Sequence, residues 1–325
     1  MTLRVHRRLS IAIAALALSG AALAQPYPTK PIKMVSPYPP GGPVDTFGRL
    51  ISAKVSEDLK QPIIFENRPG ATGLIAGEHV AKSPADGYTL LVSVPSLFTM
   101  VPHMVADAQE RIQGLAPVAQ FAVAPLLLVV HPSVDAKNVK ELVGVFKSPS
   151  KDLAYASAGS GSLPHLAMEL LLTSVGGRAL HVSYKGSGPA VAGLLGGQVQ
   201  AMLDNMSSSL PQARSGRLRA LAVTSKERFS GAPEIPTLAE AGVDGYEVTN
   251  WFGIFAPAAT PKEVVALLNS AFGKAAFAPQ VRERLQQLGA TPVAPQPEEV
   301  AAQIRKEREQ WGRIIKQVGL KPKPN

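Results

Sequence analysis

The sequence contains no cysteine. Disulfides, thiol nucleophiles, iron–sulfur clusters and thiolate zinc sites are therefore excluded, and the compartment must be read from the N-terminus. No apolar run beyond Ala24 approaches the roughly 20 residues that span a bilayer as a helix. The bases do not cluster. The densest charged run, Arg305-Lys306-Glu307-Arg308-Glu309, is mixed in sign, and no basic stripe with interleaved aromatics marks a nucleic-acid surface. The six histidines show no zinc spacing. Neither a P-loop nor a G-x-S-x-G elbow occurs, and no strict repeat is present. Apolar residues make up 46% and charged residues 18%, too apolar a balance for a disordered chain.

What is present begins with an export address. Arg4, Arg7 and Arg8 form a basic region, Ile11 to Ala24 an apolar one, and Ala22-Leu23-Ala24 a small-x-small cleavage site. The apolar run is too short to span a membrane, so residues 1–24 read as a cleaved signal peptide and the mature protein as exported. Part of the formal charge of +9 belongs to this segment. The remainder serves ordinary solubility or gives a modest field favouring anionic solutes.

Short apolar strands alternate with helical stretches along the 325 residues. Strands are predicted at 32–37, 63–66 and 88–94, with helices over 44–59 and 73–81 between them. This βαβαβ order implies a parallel sheet. The middle repeats the logic, with strands at 126–131, 153–156, 180–183, 201–203 and 219–223 and helices over 139–146, 163–174 and 190–195. A strand at 251–256 and two helical regions follow. In the last helix Val300, Ile304, Trp311, Ile315 and Val318 share one face, a core-packing stripe.

Several strands run into Gly, Ser, Asp or Asn and then into a helix. In open α/β sheets ligands sit beyond the carboxyl ends of the strands. Helix N-termini there offer unpaired N–H groups and partial positive charge, which suit anions. Pro37-Tyr38-Pro39-Pro40-Gly41-Gly42-Pro43-Val44-Asp45 reads either as a stiff ligand loop or as a rigid turn with Asp45 complementing the helix dipole. Ser157-Ala158-Gly159-Ser160-Gly161-Ser162 is a donor nest for a carboxylate or phosphate. His165 either faces a ligand or packs against its own helix. Tyr184-Lys185-Gly186-Ser187-Gly188-Pro189 adds one cation. Asp204 either orients a ligand or caps a helix with Ser207 to Ser209. A hydrolytic Ser162, His165, Asp204 triad can also be drawn, but only geometry defines one.

Many segments in order carry a family resemblance over essentially all of the mature chain. They include Tyr27-Pro28-x-Lys30-Pro31-Ile32, the proline-glycine loop to Asp45, Glu66-Asn67-Arg68-Pro69-Gly70-Ala71 and Asp86-Gly87-Tyr88-Thr89-Leu90-Leu91. Tyr155-x-Ser157-Ala158-Gly159-x-Gly161-Ser162, His165-Leu166-Ala167, Tyr184-Lys185-Gly186, Asp204-Asn205, Leu218 to Thr224 and Glu234-Ile235-Pro236-Thr237 follow. The chain resembles the Bug-type (TctC-like) extracytoplasmic solute-binding receptors of tripartite tricarboxylate transporters.

The resemblance implies an α/β, type II periplasmic-binding-protein-like fold. Two α/β domains, residues 25–127 with 252–325 and residues 128–251, would close around a cleft through crossover strands. It implies a periplasmic, monomeric receptor without cofactor or metal. The receptor would take a small carboxylate (an aliphatic di- or tricarboxylate, an acidic amino acid or an aromatic acid) and serve membrane transporter subunits. Ligand contacts carried over are Tyr38, Gly42, Asp45, Thr72, Ser157, Gly159, Ser162, His165, Tyr184 and Asp204. An exported serine hydrolase using Ser162 and His165, or a ligand-loaded sensor for a membrane histidine kinase, are the alternatives. Two segments depart from the family. Ser93-Val94-Pro95-Ser96-Leu97-Phe98 is unusually apolar and leaves room for an aromatic or branched acid. Residues 103–114 are expected to form an altered surface loop.

Overall fold

The structure, a computed structural model, describes residues 27–148 and 153–320. The export segment and the Lys-Pro tail lie outside the described residues. The chain runs β1 (Ile32–Ser36), α1 (Pro43–Leu59), β2 (Ile63–Asn67), a 3-10 turn (Ala71–Gly73), α2 (Leu74–Ala81), β3 (Thr89–Ser93), α3 (Ser96–Thr99), a 3-10 turn (Val101–His103), α4 (Ala108–Ile112) and β4 (Leu115–Val130). It continues with α5 (Val139–Lys147), β5 (Ala154–Ser157), α6 (Leu163–Val175), β6 (Leu180–Ser183), α7 (Ser187–Leu195), β7 (Ala201–Asn205), α8 (Met206–Arg214) and β8 (Arg219–Val223). Last come β9 (Thr249–Pro257), α9 (Lys262–Phe277), α10 (Pro279–Gln287), β10 (Thr291–Pro292) and α11 (Pro297–Gln317).

The strands form two lobes. β1 pairs parallel with β2 and β3, and β5 pairs parallel with β6 and β7. Both trios have the parallel order that the βαβ pattern implied. β4 joins them. Its first half, Leu115 to Pro125, lies antiparallel to β9, and its second half, Leu126 to Val130, antiparallel to β7 and β8. The sequence showed only the second half as strand, because Pro117 and Pro125 interrupt the pattern. Register shifts at Pro117/Ala119 and Gln120/Ala122 accommodate the break.

Each lobe buries its own core. Phe47, Ile51 and Val55 of α1 pack on Phe252 and Ile254 in one, and Leu166 and Leu171 of α6 pack beside Leu128 and Leu203 in the other. The apolar stripe of α11 serves both. Val300 and Ile304 join Leu74, Leu91 and Leu97, whereas Trp311, Ile314 and Ile315 join the cluster around Leu128 and Leu166. The 103–114 stretch is more than a surface loop. It contains α4, whose Ala108 and Ile112 are buried, and His103 Nε2 lies 2.8 Å from the Arg308 carbonyl.

Candidate functional site

Between the lobes lies a cavity of about 240 Å³. Its walls are the carboxyl ends of the parallel strands, where the topology places ligands. Tyr38 to Val44 follow β1, and Val94 and Ser96 follow β3. Ala158 and Ser162 to Pro164 follow β5, Lys185 to Pro189 follow β6, and Asn205 ends β7. Asn250 and Phe252 of β9 complete the floor.

Four helices start at these walls. α1 begins after Gly42, α6 after Ser162, α7 after Gly186 and α8 after Asn205, and none has a side-chain cap. Elsewhere α5 is capped by Asn138 and α11 by a full capping box, whereas α9 and α10 also lack a side-chain cap. The first-turn N–H groups of the four helices have no intrahelical acceptor, and Pro43, Pro164 and Pro189 remove some of them. What remains is a set of donors and dipole ends aimed at one space. Among the described residues Lys185 is the only Lys or Arg in the lining, and no Asp or Glu contributes to it.

Tyr38, Gly42 and Ser162 line the cavity, as sequence reasoning expected. Tyr38 Oη lies 3.4 Å from Ser96 Oγ, and burial raises its pKa. Asp45 does not reach the lining. Its Oδ2 accepts from Gly41 N at 3.1 Å, and its Oδ1 accepts from Arg49 Nε and Asn67 Nδ2, each at 3.0 Å. Burial pushes this carboxyl up, but the bonds from Arg49, Asn67 and Gly41 outweigh it and hold the pKa below the usual carboxylate value. Asn67 Nδ2 also donates to the Tyr38 carbonyl at 2.9 Å, so Asp45 and Asn67 clamp the loop from behind.

Ser157 and Gly159 belong to the second loop and His165 to the first turn of α6, and none of the three is in the lining. Ser157 Oγ lies 2.7 Å from His181 Nε2, and that ring stacks on His165 with centroids 3.8 Å apart. His165 Nδ1 accepts from Gly161 N at 3.1 Å, and its Nε2 is 3.9 Å from Glu169. Ser162 Oγ donates to the Gly159 carbonyl at 2.7 Å. The serine proton and the imidazole Nδ1 are thus occupied by the loop backbone. Asp204 is bonded to Ser209 instead. Nucleophile, base and acid are not set in a triad's geometry.

Like Asp45, Ser157, Gly159 and His165, the expected contacts Thr72, Tyr184 and Asp204 stand outside the lining. Thr72 lies in the 3-10 turn with φ +55° rather than at the start of α2. The Tyr184 phenol crosses Gly193 and donates to Gln198 at 3.3 Å. Asp204, within β7, is fully buried. Burial pushes its carboxyl up to about 6, opposed by the Ser209 and Ser187 hydroxyls and the Asn205 amides. Nor does Asp204 cap α8, which starts at Met206, so that Ser207 to Ser209 lie within the helix. In both loops the neighbouring residue reaches the cavity: Lys185 beside Tyr184, and Asn205 beside Asp204. Successive strand residues point to opposite faces, so a motif match alone does not say which one faces the ligand. Sequence reasoning missed Asn205, Asn250, Ser187 and Phe252. The signal available for Asn205 was its place beside Asp204 at a strand end.

A model of the tripartite tricarboxylate transporter family receptor matches residues 47–320. The chain belongs to this family. Three solved structures resemble it closely. An R. palustris protein with adipate gives a TM-score of 0.88 at 34% identity, covering 91% of this chain and 100% of that one. The periplasmic binding protein BugD gives 0.85 at 32%, with coverage of 91% and 100%. MatC from Rhodopseudomonas palustris with bound malate gives 0.81 at 33%, covering 89% and 100%. The fold is therefore the two-lobed periplasmic-binding-protein type, and the protein is a solute-binding receptor of the TctC/Bug group. Among the described residues no helix is long and apolar enough to cross a membrane.

Proposed function

We propose that this receptor captures a small carboxylate in the periplasm and delivers it to the membrane subunits of a tripartite tricarboxylate-type transporter. The observation that carries the proposal is the convergence of four uncapped helix starts on a cavity lined, among the described residues, by one cation and no acid. Backbone donors at helix N-termini hold an anion without an Arg fork. The solved relatives with adipate and malate support the same ligand class. At about 240 Å³ the cavity is below the usual range for drug-sized ligands, which favours an acid of few carbons. Val94, Phe252 and Leu163 give it an apolar wall, which favours an acid with an apolar body over a hydroxylated one.

Export follows from the N-terminal signal, cleaved after Ala24. The receptor acts as a monomer. Its lobes, residues 25–127 with 252–325 and residues 128–251, close on the ligand about β4 and β9. Ligand shifts a pre-existing open–closed equilibrium toward the closed state.

The test is a melting and tryptophan-fluorescence panel on the purified mature chain. The panel contains adipate, malate, succinate, citrate, glutamate, nicotinate and benzoate, with the corresponding neutral amides as controls. A ligand at a hundredfold excess over its Kd stabilises by about 2.7 kcal/mol. Trp251 reports on the region, because it lies in β9 and its indole donates to Glu307 of α11. A carboxylate that stabilises where its amide does not supports the proposal. A flat panel on refolded, ligand-free protein overturns it.

A further inference from the structure

Two asparagines form the polar part of the cavity floor. Asn205 ends β7 and Asn250 lies near the start of β9, with 6% and 4% of their surfaces exposed. Both are registered against β4, Asn205 opposite Leu126 and Asn250 opposite Ala124, where that strand passes from one lobe to the other.

Their hydrogen bonds fix their polarity. The Trp251 backbone N–H donates to Asn250 Oδ1 at 3.0 Å. A backbone N–H can only donate, so the oxygen of Asn250 is committed to it. Asn250 must then turn its NH2 group to Asn205, and Nδ2 meets Asn205 Oδ1 at 2.7 Å. An NH2 group requires an acceptor, so Asn205 must present its oxygen there. Its own NH2 group takes the remaining direction. That group lies close enough to Asp204 to lower its pKa, and Asp204 Oδ1 itself has no hydrogen-bond partner. With two hydrogens on the nitrogen, at least one is left for the cavity that Asn205 lines.

We propose that Asn205 contacts the ligand as an obligate donor and that Asn250 is the positioning residue that fixes this polarity. The inference rests on the carboxylate proposal and sharpens it. The floor is built to meet a hydrogen-bond acceptor. A ligand presenting an N–H or O–H there leaves two donors facing each other in a buried place, and a buried donor without an acceptor is costly. The relay starts from Trp251 of a crossover strand and ends at the ligand, so it also ties ligand contact to the hinge.

The experiment compares adipate with adipamide and benzoate with benzamide by titration calorimetry. It uses the purified protein and the variant Asn250→Asp. The introduced carboxylate still accepts from the Trp251 N–H, but its second oxygen now demands a donor. Asn205 is expected to swing its NH2 group to it and to show the cavity its oxygen. The acid should lose about tenfold or more in affinity, and the acid-over-amide ratio should fall with it. Nearly equal losses for acid and amide, or an unchanged ratio, would overturn the proposal.

Because Asn250→Asp also adds a charge, a second measurement is made on the unaltered protein. The side-chain NH2 resonances of 15N-labelled asparagine are followed during titration, with Asn205 assigned by its disappearance in Asn205→Asp. The Asn205 pair should shift on acid binding. If an acid raises the melting temperature while the Asn205 resonances stay still, this inference fails and the carboxylate proposal stands. If no acid moves either observable, both fall.

Discussion

The carboxylate of Asp45 reaches back four residues and accepts the N–H of Gly41 at 3.1 Å. The family resemblance marked Asp45 as a ligand contact, yet here it braces the loop that the ligand would touch. Removing it as Asp45→Ala leaves the Gly41 N–H, Arg49 and Asn67 without their shared acceptor. A loss of about 1–3 kcal/mol in stability and a severalfold loss in ligand affinity are expected. Asp45→Asn keeps one oxygen and should fall between the two. Chemical denaturation with ligand titration on the three proteins checks this. Affinity lost equally in both variants, with stability intact, would instead mean direct contact.

Lys185 is exposed at the cavity wall, and its side chain makes no ion pair or hydrogen bond among the described residues. It is therefore suited to the second charge of a dianion. Lys185→Met should weaken adipate binding about two- to fivefold, the range of an exposed pair, and leave a monoanion such as benzoate nearly unchanged. The wild-type preference for the dianion should shrink as salt rises from low to physiological strength. Titrations of both acids at two ionic strengths read the difference. Equal weakening of both acids would assign Lys185 to general steering.

Asp204 supplies a pH signature. Its carboxyl is raised to about 6 in the folded protein, chiefly by burial, against an ordinary value near 3.8. Between those values the folded state holds a proton that the unfolded state has released. Stability from this group is thus complete below pH 4 and lost as pH rises through 6. The loss amounts to at most about 3 kcal/mol. Asp204→Asn removes the charge, so the variant's melting temperature relative to wild type should rise from pH 4 to pH 7. An anion in the adjacent cavity should also bind more tightly at pH 5 than at pH 7.5 in wild type, with the difference reduced in the variant. A flat comparison across this range would mean that the carboxylate is ionised throughout.

Much of this architecture is legible in the sequence because its signals are local. Alternating strand and helix patterns give both parallel trios, and the Gly/Ser loops announce the helix starts that surround the cavity. What escapes is set by long-range pairing. The first half of β4 is strand only because β9 lies beside it, although prolines occupy the run. The facing of side chains escapes for a related reason. Tyr184 and Lys185, or Asp204 and Asn205, are equally polar motif residues. Which of each pair reaches the ligand depends on the pleat and on packing, as in the close passage of the Tyr184 phenol over Gly193. The apolar Val94 to Phe98 segment divides in the same way. Val94 and Ser96 face the cavity, while Phe98 stacks on Phe255 with ring centroids 4.1 Å apart.

Gly161 separates two causes of loop rigidity. Its φ is +78°, and a Cβ placed there would meet Met104 Sδ at 2.9 Å. Its N–H also donates to His165 Nδ1. Gly161→Ala therefore imposes a left-handed conformation on an L-residue, at about 1–2 kcal/mol, together with a clash against a flexible side chain. Met104→Ala removes the clash but not the backbone strain, at its own cost as a buried side chain. If strain dominates, the double variant should show the sum of the single losses. If the clash dominates, the double variant should be more stable than that sum by about 0.5 kcal/mol or more, on the order of typical coupling between residues in contact. The flexible thioether has room to yield, so additivity in stability is expected. Ligand affinity should drop in both proteins that carry Gly161→Ala, because the strained loop can no longer hold the Ser162 helix start against the cavity. Four denaturation curves and four titrations complete the cycle, and recovery of affinity in the double variant would place the constraint in Met104 rather than in the backbone.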